Sequence, residues 1–312
     1  MPLWGFLMSM LVAFMWALSP VFIKEGMKYC APNEVPAVRS ISFIIVMVFF
    51  MMVTQPGTMP RLTPALFAGS FANALISSLV GDLLYTYAIQ KIGASLAVAV
   101  SSGYPIVSAL ISIFVLNEKM SALVWLGTVM IVTGIFVIKL GSSSPGDPKA
   151  VCGPDSGDRN ARRANMAKGI SLALATAFCY GINIPIMKIL IVDGGWSPTE
   201  NYFMRSVIFF FLTWTMREIQ YRFTPGAIRP VEKLPLKAWT YLTLSSIFGI
   251  SLSGILFGMC LARFPVSVVT PICASSPFMT LIFARVFLKE KLSKIQGAGI
   301  VMVIAGSISV SL

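Results

Sequence analysis

The chain carries one stretch twice. The run Leu116-Asn117-Glu118-Lys119-Met120-Ser121 recurs 172 positions later as Leu288-Lys289-Glu290-Lys291-Leu292-Ser293. The same register places Tyr104-Pro105 on Ser276-Pro277, Gly127 on Gly299 and Gly134 on Gly306. A shift of 166 sets Glu34 and Arg39-Ser40 on Glu200 and Arg205-Ser206, and a shift of 164 sets Gly5, Trp16 and Lys24 on Gly169, Tyr180 and Lys188. An offset that changes between anchors means insertions in loops between conserved-length helices, so a duplicated unit of about 140 residues is the architecture.

That unit has to fold in lipid. Apolar residues make up 56% of the 312 and charged residues 12%, against roughly 45–50% and about 25% in a soluble domain. Ten apolar segments can be counted, at about 3–23, 35–53, 64–89, 95–116 and 122–140, then 169–191, 201–216, 238–260, 265–287 and 295–312. Several reach the roughly 20 residues that span a 30 Å hydrocarbon core; the 201–216 segment is short. The expected fold is an all-α integral membrane protein with ten transmembrane helices. Because five spans is an odd number, the second copy enters from the opposite side, giving a 5+5 inverted-topology repeat. Residues 1–140 form the first five-helix repeat, 141–168 a charged flexible linker rich in Gly, Ser, Pro, Asp and Arg, and 169–312 the second repeat. The first segment lacks a basic leader and contains Trp16 and Pro20, so it reads as a retained helix, not a signal peptide.

Charge sets the orientation. The net charge is +12, with no histidine. Arg61, Lys119, Lys188 and Arg263 are the four bases in loops on the amino-terminal side, whereas eighteen fall on the other. This excess places both termini outside the cytoplasm of a multi-pass cell-membrane protein. There is no basic stripe with interleaved aromatics, so no nucleic-acid partner is expected. Five cysteines lack ligand spacing and read as small core residues, with no metal and no cofactor implied. No GxSxG elbow or GxxxxGK[ST] loop is present, so an enzyme is not expected. The expected partners are the bilayer, a small-molecule substrate and coupled protons, with the chain as a monomer or weak dimer.

Several polar side chains fall inside the spans. Asp82 lies among Ser77, Ser78, Gly81 and Tyr85, and its mate in the 172 register is Gly254. A carboxylate in hydrocarbon needs a cavity, a partner or a proton, so Asp82 reads as a proton-coupling or amine-binding group, or as a structural pair with an arginine or a helix cap. Arg39 and Arg205, each five residues after a glutamate, can fork onto a carboxylate or phosphate ligand, snorkel, or tie two helices. Asn183 and Tyr180 lie with Pro185 in the sixth segment, in register with Trp16 and Pro20 of the first. Such groups line polar pockets beside proline-freed carbonyls, and also serve plain helix packing. Tyr104-Pro105 and Ser276-Pro277 break the fourth and ninth helices at matched points, Ser101 standing beside the first, and are expected to flank a cavity. Tyr85 shares a face with Asp82 more nearly than Tyr87 does, and Asn73 and Ser77 extend that face. Phe209, Phe210 and Phe211 read as lipid-facing. Glu118-Lys119 and Glu290-Lys291 read as helix ends or gate ties.

The runs YPIVSALISIFVLNEKMSALVWLGTVMIVTG and SPFMTLIFARVFLKEKLSKIQGAGIVMVIAG resemble the fourth and fifth, and the ninth and tenth, helices of the drug/metabolite transporter superfamily in its ten-helix EamA-type form. Arg39 and Arg205 match the arginine common early in its second and seventh helices. The resemblance covers essentially the whole chain and implies a 5+5 inverted fold around a central cavity that moves small organic metabolites such as amino acids, often outward. Ten-helix members usually keep their termini cytoplasmic, opposite to the side the charge count gives here. The expected function is secondary transport of small organic metabolites, amino acids or related compounds, by alternating access, with proton-coupled export through Asp82 as a hypothesis. One rival is a nucleotide-sugar or sugar-phosphate exchanger, which needs two or more cations converging on the cavity. The other is a non-transporting membrane scaffold or receptor, which needs a solid apolar bundle. If the linker is cytoplasmic, Cys152 in intact cells resists a membrane-impermeant maleimide until the membrane is opened; fast labelling from outside would reverse the orientation.

Overall fold

Lipid admits a backbone whose N–H and C=O groups are paired within the segment, so the apolar runs become helices. The protein is described from a computed structural model over residues 1–140, 159–223, 234–279 and 294–311. Ten helical segments lie among these residues: α1 (Leu3–Gly26), α2 (Val35–Thr54), α3 (Pro64–Ile92), α4 (Ala94–Ser101 and Tyr104–Val115), α5 (Ala122–Leu140), α6 (Arg159–Val192), α7 (Pro198–Phe223), α8 (Leu236–Leu261), α9 (Val266–Met279) and α10 (Lys294–Ser311). Six of them, α1, α2, α3, α4, α6 and α8, have the length and hydropathy to cross a membrane, and α5, α9 and α10 contain shorter apolar helices. This is an all-α, multi-spanning membrane protein.

Local chemistry sets the helix ends. Ser197 and Glu200 form a capping box at the start of α7: the Ser197 N–H donates to the Glu200 carboxylate at 2.7 Å and the Glu200 N–H to the Ser197 hydroxyl at 3.1 Å. At the matched start of α2, the Ala31 N–H donates to Glu34 at 2.7 Å. Glu200 thereby caps α7, whereas Glu34 closes the turn that leads into α2. The caps extend α7 beyond the expected 201–216, and an Arg222–Glu218 pair at 2.8 Å lies along its last turns. Residues 159–168, expected in the linker, belong to α6; the run is rich in Arg and Ala, both strong helix formers. Residues 141–158, including Cys152, and Glu290-Lys291 lie outside the described residues. The fourth and ninth helices break at Ser102-Gly103 and Ala274-Ser275, slightly before the expected Tyr104-Pro105 and Ser276-Pro277. Proline is tolerated in a first helical turn, where its missing N–H is not needed, so Pro105 opens the second half of α4 instead of ending the first.

Helices from the two sequence copies pack antiparallel. In α1 and α8, Ser9 meets Cys260 and the Ser19 hydroxyl reaches the Ser245 carbonyl at 3.1 Å. In α3 and α6, Ile92 sits on Gly169, Gly81 on Tyr180 and Gly69 on Leu190. In α2 and α7, Thr213 bonds Ser40 at 3.1 Å while Phe43 meets Phe209 at 6.5 Å between ring centroids. The closest approach joins α5 and α10. A methyl added at Gly127 would stand 2.6 Å from the Gly306 carbonyl oxygen, and one at Gly306 2.7 Å from that of Gly127. Gly134 and Gly299 repeat this contact, at 2.8 Å from the Gly134 side. Small residues let helix backbones touch where lipid offers no hydrophobic drive for association. Backbone cannot yield cheaply, so Gly127→Val should cost about 1–3 kcal/mol, seen as a lower unfolding midpoint in detergent, whereas an unchanged midpoint would mean this seam is loose.

Candidate functional site

The helices enclose a cavity of about 150 Å³ walled by α1–α4 and α6–α9. Two interruptions shape it. In α3 the turns over Ala74–Gly81 are π-helical, as are those over Ile247–Ser251 in α8. The wider turn adds a residue to the helical register and is frequent at functional sites. It brings Ser77, Ser78 and Asp82 to the cavity wall from α3, and Gly249 and Ile250 from α8. The breaks in α4 and α9 add Ser101, Ser102, Tyr104 and Ser276.

The wall holds two arginines and one carboxylate. Arg39 Nη1 is ion-paired with Asp82 Oδ1, their side chains 2% and 7% exposed. Arg205 donates from Nε to the Ser78 hydroxyl at 2.7 Å and from Nη2 to the Ser77 hydroxyl at 2.8 Å, with its guanidinium carbon 5.5 Å from the centre of the Tyr202 ring. Helix α3 thus engages both arginines, one by charge and one by neutral hydroxyls. Asp82 Oδ2, Arg39 Nε and Asn183 Oδ1 have no hydrogen-bond partner among the described residues. Rings complete the wall: Trp16 lies edge-on to Tyr104 at 6.2 Å and against Phe257 at 5.1 Å, and Tyr85 tilts against Tyr180 at 6.2 Å. The site can therefore hold a small organic molecule between aromatic faces with polar atoms of both signs at hand.

Of the residues singled out in the sequence, Trp16, Arg39, Asp82, Tyr85, Ser101, Tyr104, Tyr180, Asn183, Arg205 and Ser276 are brought together in this wall, and Tyr87 and Pro185 are not part of it. Asn73 also stands off the wall: it is buried, with neither end of its amide hydrogen-bonded among the described residues. Sharing a face with Ser77 does not bring Asn73 to the cavity, because it lies about one turn farther along α3. Phe209 is not lipid-facing but 1% exposed against Phe43 and in the wall, while Phe211 is 64% exposed. Three consecutive helical residues cannot share one face. Sequence reasoning passed over Tyr202 and Phe257. The first had a usable signal, since it stands three residues before Arg205 on one helical face; Phe257 had none.

Beyond the cavity, Glu118 ties three elements on the amino-terminal side. Lys188, near the end of α6, donates to its Oε1 at 3.0 Å and to the Phe264 carbonyl at 3.0 Å. At the start of α9, the Val266 N–H reaches Oε1 at 2.9 Å, and the Ser267 N–H and hydroxyl reach Oε2 at 3.2 and 3.0 Å. Partial burial opposes ionisation of Glu118, but the Val266 N–H and Lys188 outweigh it and hold the carboxyl below its ordinary range. The Phe264 ring, next in the chain, packs against Trp4 at 5.1 Å. These contacts join the α4–α5 turn, α6, α9 and the start of α1.

The model of the EamA-like transporter family matches residues 3–140 and 167–312, and the chain belongs to that family. It is a membrane-embedded transporter of the drug/metabolite transporter superfamily and not an enzyme. A solved structure described as a crystal structure of protein superposes with a TM-score of 0.72, covering 99% of this chain and 98% of that chain at 13% identity, a likeness of fold alone. No curated protein matches the chain by sequence.

The Glu118 tie has a pH signature. Its carboxyl is held below the ordinary range, so the stability it contributes is present above that range and is lost as the pH falls through the depressed value. At neutral pH, Glu118→Gln should cost about 1.5–3 kcal/mol, the worth of hydrogen bonds to a charged group. Unfolding midpoints of wild type and E118Q should converge on acidification, and a gap independent of pH would show that the carboxylate charge is idle.

Proposed function

We propose that this carrier moves amino acids or related small organic metabolites by alternating access, exporting them in exchange for protons. The halves 1–140 and 169–312 act as two five-helix bodies related by inverted topology. Supporting that arrangement are the antiparallel packing of the matched pair α2 and α7, the reciprocal glycine contacts of the matched pair α5 and α10, and the paired π segments of α3 and α8. Rocking of such halves about a shared central site exposes it to each side in turn.

The carrying observation is Asp82, ion-paired with Arg39 in the cavity wall and with its second oxygen unfilled. A substrate ammonium is held by the charge of the ionised carboxylate, whereas a proton on Asp82 removes that charge and turns one of its oxygens into a donor. Proton and substrate therefore exclude one another, and exclusion at one site gives exchange. Proton entry then drives substrate export.

The cavity volume favours small substrates. At about 150 Å³ it falls below the roughly 300–1,000 Å³ of sites for drug-sized ligands. Both arginines do converge on it, as a nucleotide-sugar exchanger would need, but Arg39 is already matched by Asp82. The scaffold reading is set aside by family membership. In proteoliposomes, Asp82→Asn should abolish the dependence of amino-acid flux on an imposed pH gradient, and gradient-driven flux that survives intact would sink the coupling role. Removing one partner of a buried ion pair costs about 3–5 kcal/mol, so D82N should be compared with the D82N/R39Q double variant, in which no lone charge remains.

A further inference from the structure

The repeat supplies two arginines at matched positions, yet their surroundings differ. Arg39 meets Asp82, one helix away. In the 172 register the mate of Asp82 is Gly254, and the ring of Tyr202 fills the space that a side chain there would need. Arg205 accordingly has the hydroxyls of Ser77 and Ser78 and the face of Tyr202, all neutral, and only 7% of it is exposed. With Arg39 and Asp82 cancelling, the described residues of the wall carry one uncompensated positive charge.

We propose that Arg205 is the carboxylate anchor of the cavity, with the substrate taking toward Arg205 the part that Asp82 takes toward Arg39. This rests on the reading of the cavity as a carrier site and adds the charge of the group recognised there. The two serines satisfy hydrogen bonds but bring no charge, so a buried guanidinium stays costly in hydrocarbon until an anion arrives. They also fix the guanidinium through Nε and Nη2, setting its plane for a fork-like contact. The class recognised is an organic monocarboxylate. In a zwitterion, the ammonium turns to Asp82 Oδ2 and Asn183 Oδ1, the unfilled acceptors of the same wall. Dianions are disfavoured because no second cation of the wall is free of a carboxylate.

The test uses matched ligands on the purified full chain, read as the concentration that raises the unfolding midpoint: valine, valinamide, which lacks the carboxylate, and 3-methylbutanoate, which lacks the amine, with the same triads built on alanine and phenylalanine. In wild type, the acids should bind roughly ten- to a hundredfold more tightly than the amides. Arg205→Gln should abolish this preference, and Arg205→Lys, which keeps the charge and loses the fork, should restore part of it. Amides that bind as well as the acids, or a preference that persists in R205Q, would overturn the anchor and leave the carrier reading standing. If no triad binds wild type, both the anchor and the amino-acid reading fall. Should R205Q not fold, R205K decides, because a purely structural arginine predicts no change in the acid-to-amide ratio.

Discussion

A charge placed in hydrocarbon must be matched nearby, and this requirement organises the centre of the bundle. The repeat introduces Arg39 and Arg205 into helices that pack against one another, where neither can reach a polar interface while only 2% and 7% exposed. Helix α3 resolves both. Its π-helical turns present Ser77 and Ser78 to one guanidinium, and Asp82, directly after them, meets the other. The same turns open the wall of the cavity, so the device that accommodates the buried charges also makes the site.

Around that centre, the packing is of two kinds. The α5–α10 seam is backbone against backbone, with glycines on both sides and little freedom to repack. The amino-terminal face is held by side chains, through Glu118, Lys188 and the first amides of α9, which can part without breaking a helix. Both the seam and the ties cross between the two halves, so in rocking of the halves the seam would be the pivot and the ties the part that separates. The proposed exchange cycle uses both, with the cavity between them.

Most of the cavity wall can be read in the sequence, because a polar or aromatic residue inside an apolar run stands out. Asp82, Asn183, Trp16 and Tyr180 are such cases, and each lines the wall. The misreadings share a cause. Helical period and composition carry no information on depth along a helix or on its phase; Asn73 lies about a turn beyond the wall on α3, and the phase of α7 turns Phe209 inward. The helical start of α6 at Arg159 escaped notice because its residues are polar, and hydropathy is silent where a helix continues in a polar stretch.

Read as a string of residues, the chain already shows that it lives in a membrane, that its unit is duplicated, and that matched arginines, glycines and prolines occupy both copies. Those features follow from residue type and period, which a linear pattern carries. It takes the packed helices to show that Asp82 answers Arg39 and leaves Arg205 to two serines, that Tyr202 fills the place beside Gly254, and that Glu118 fastens α6 to α9. Helix phase after a π turn and the approach of segments distant in the chain depend on packing in three dimensions; the register already sets Asp82 on Gly254, but what that difference does to the two arginines is settled by which helices touch.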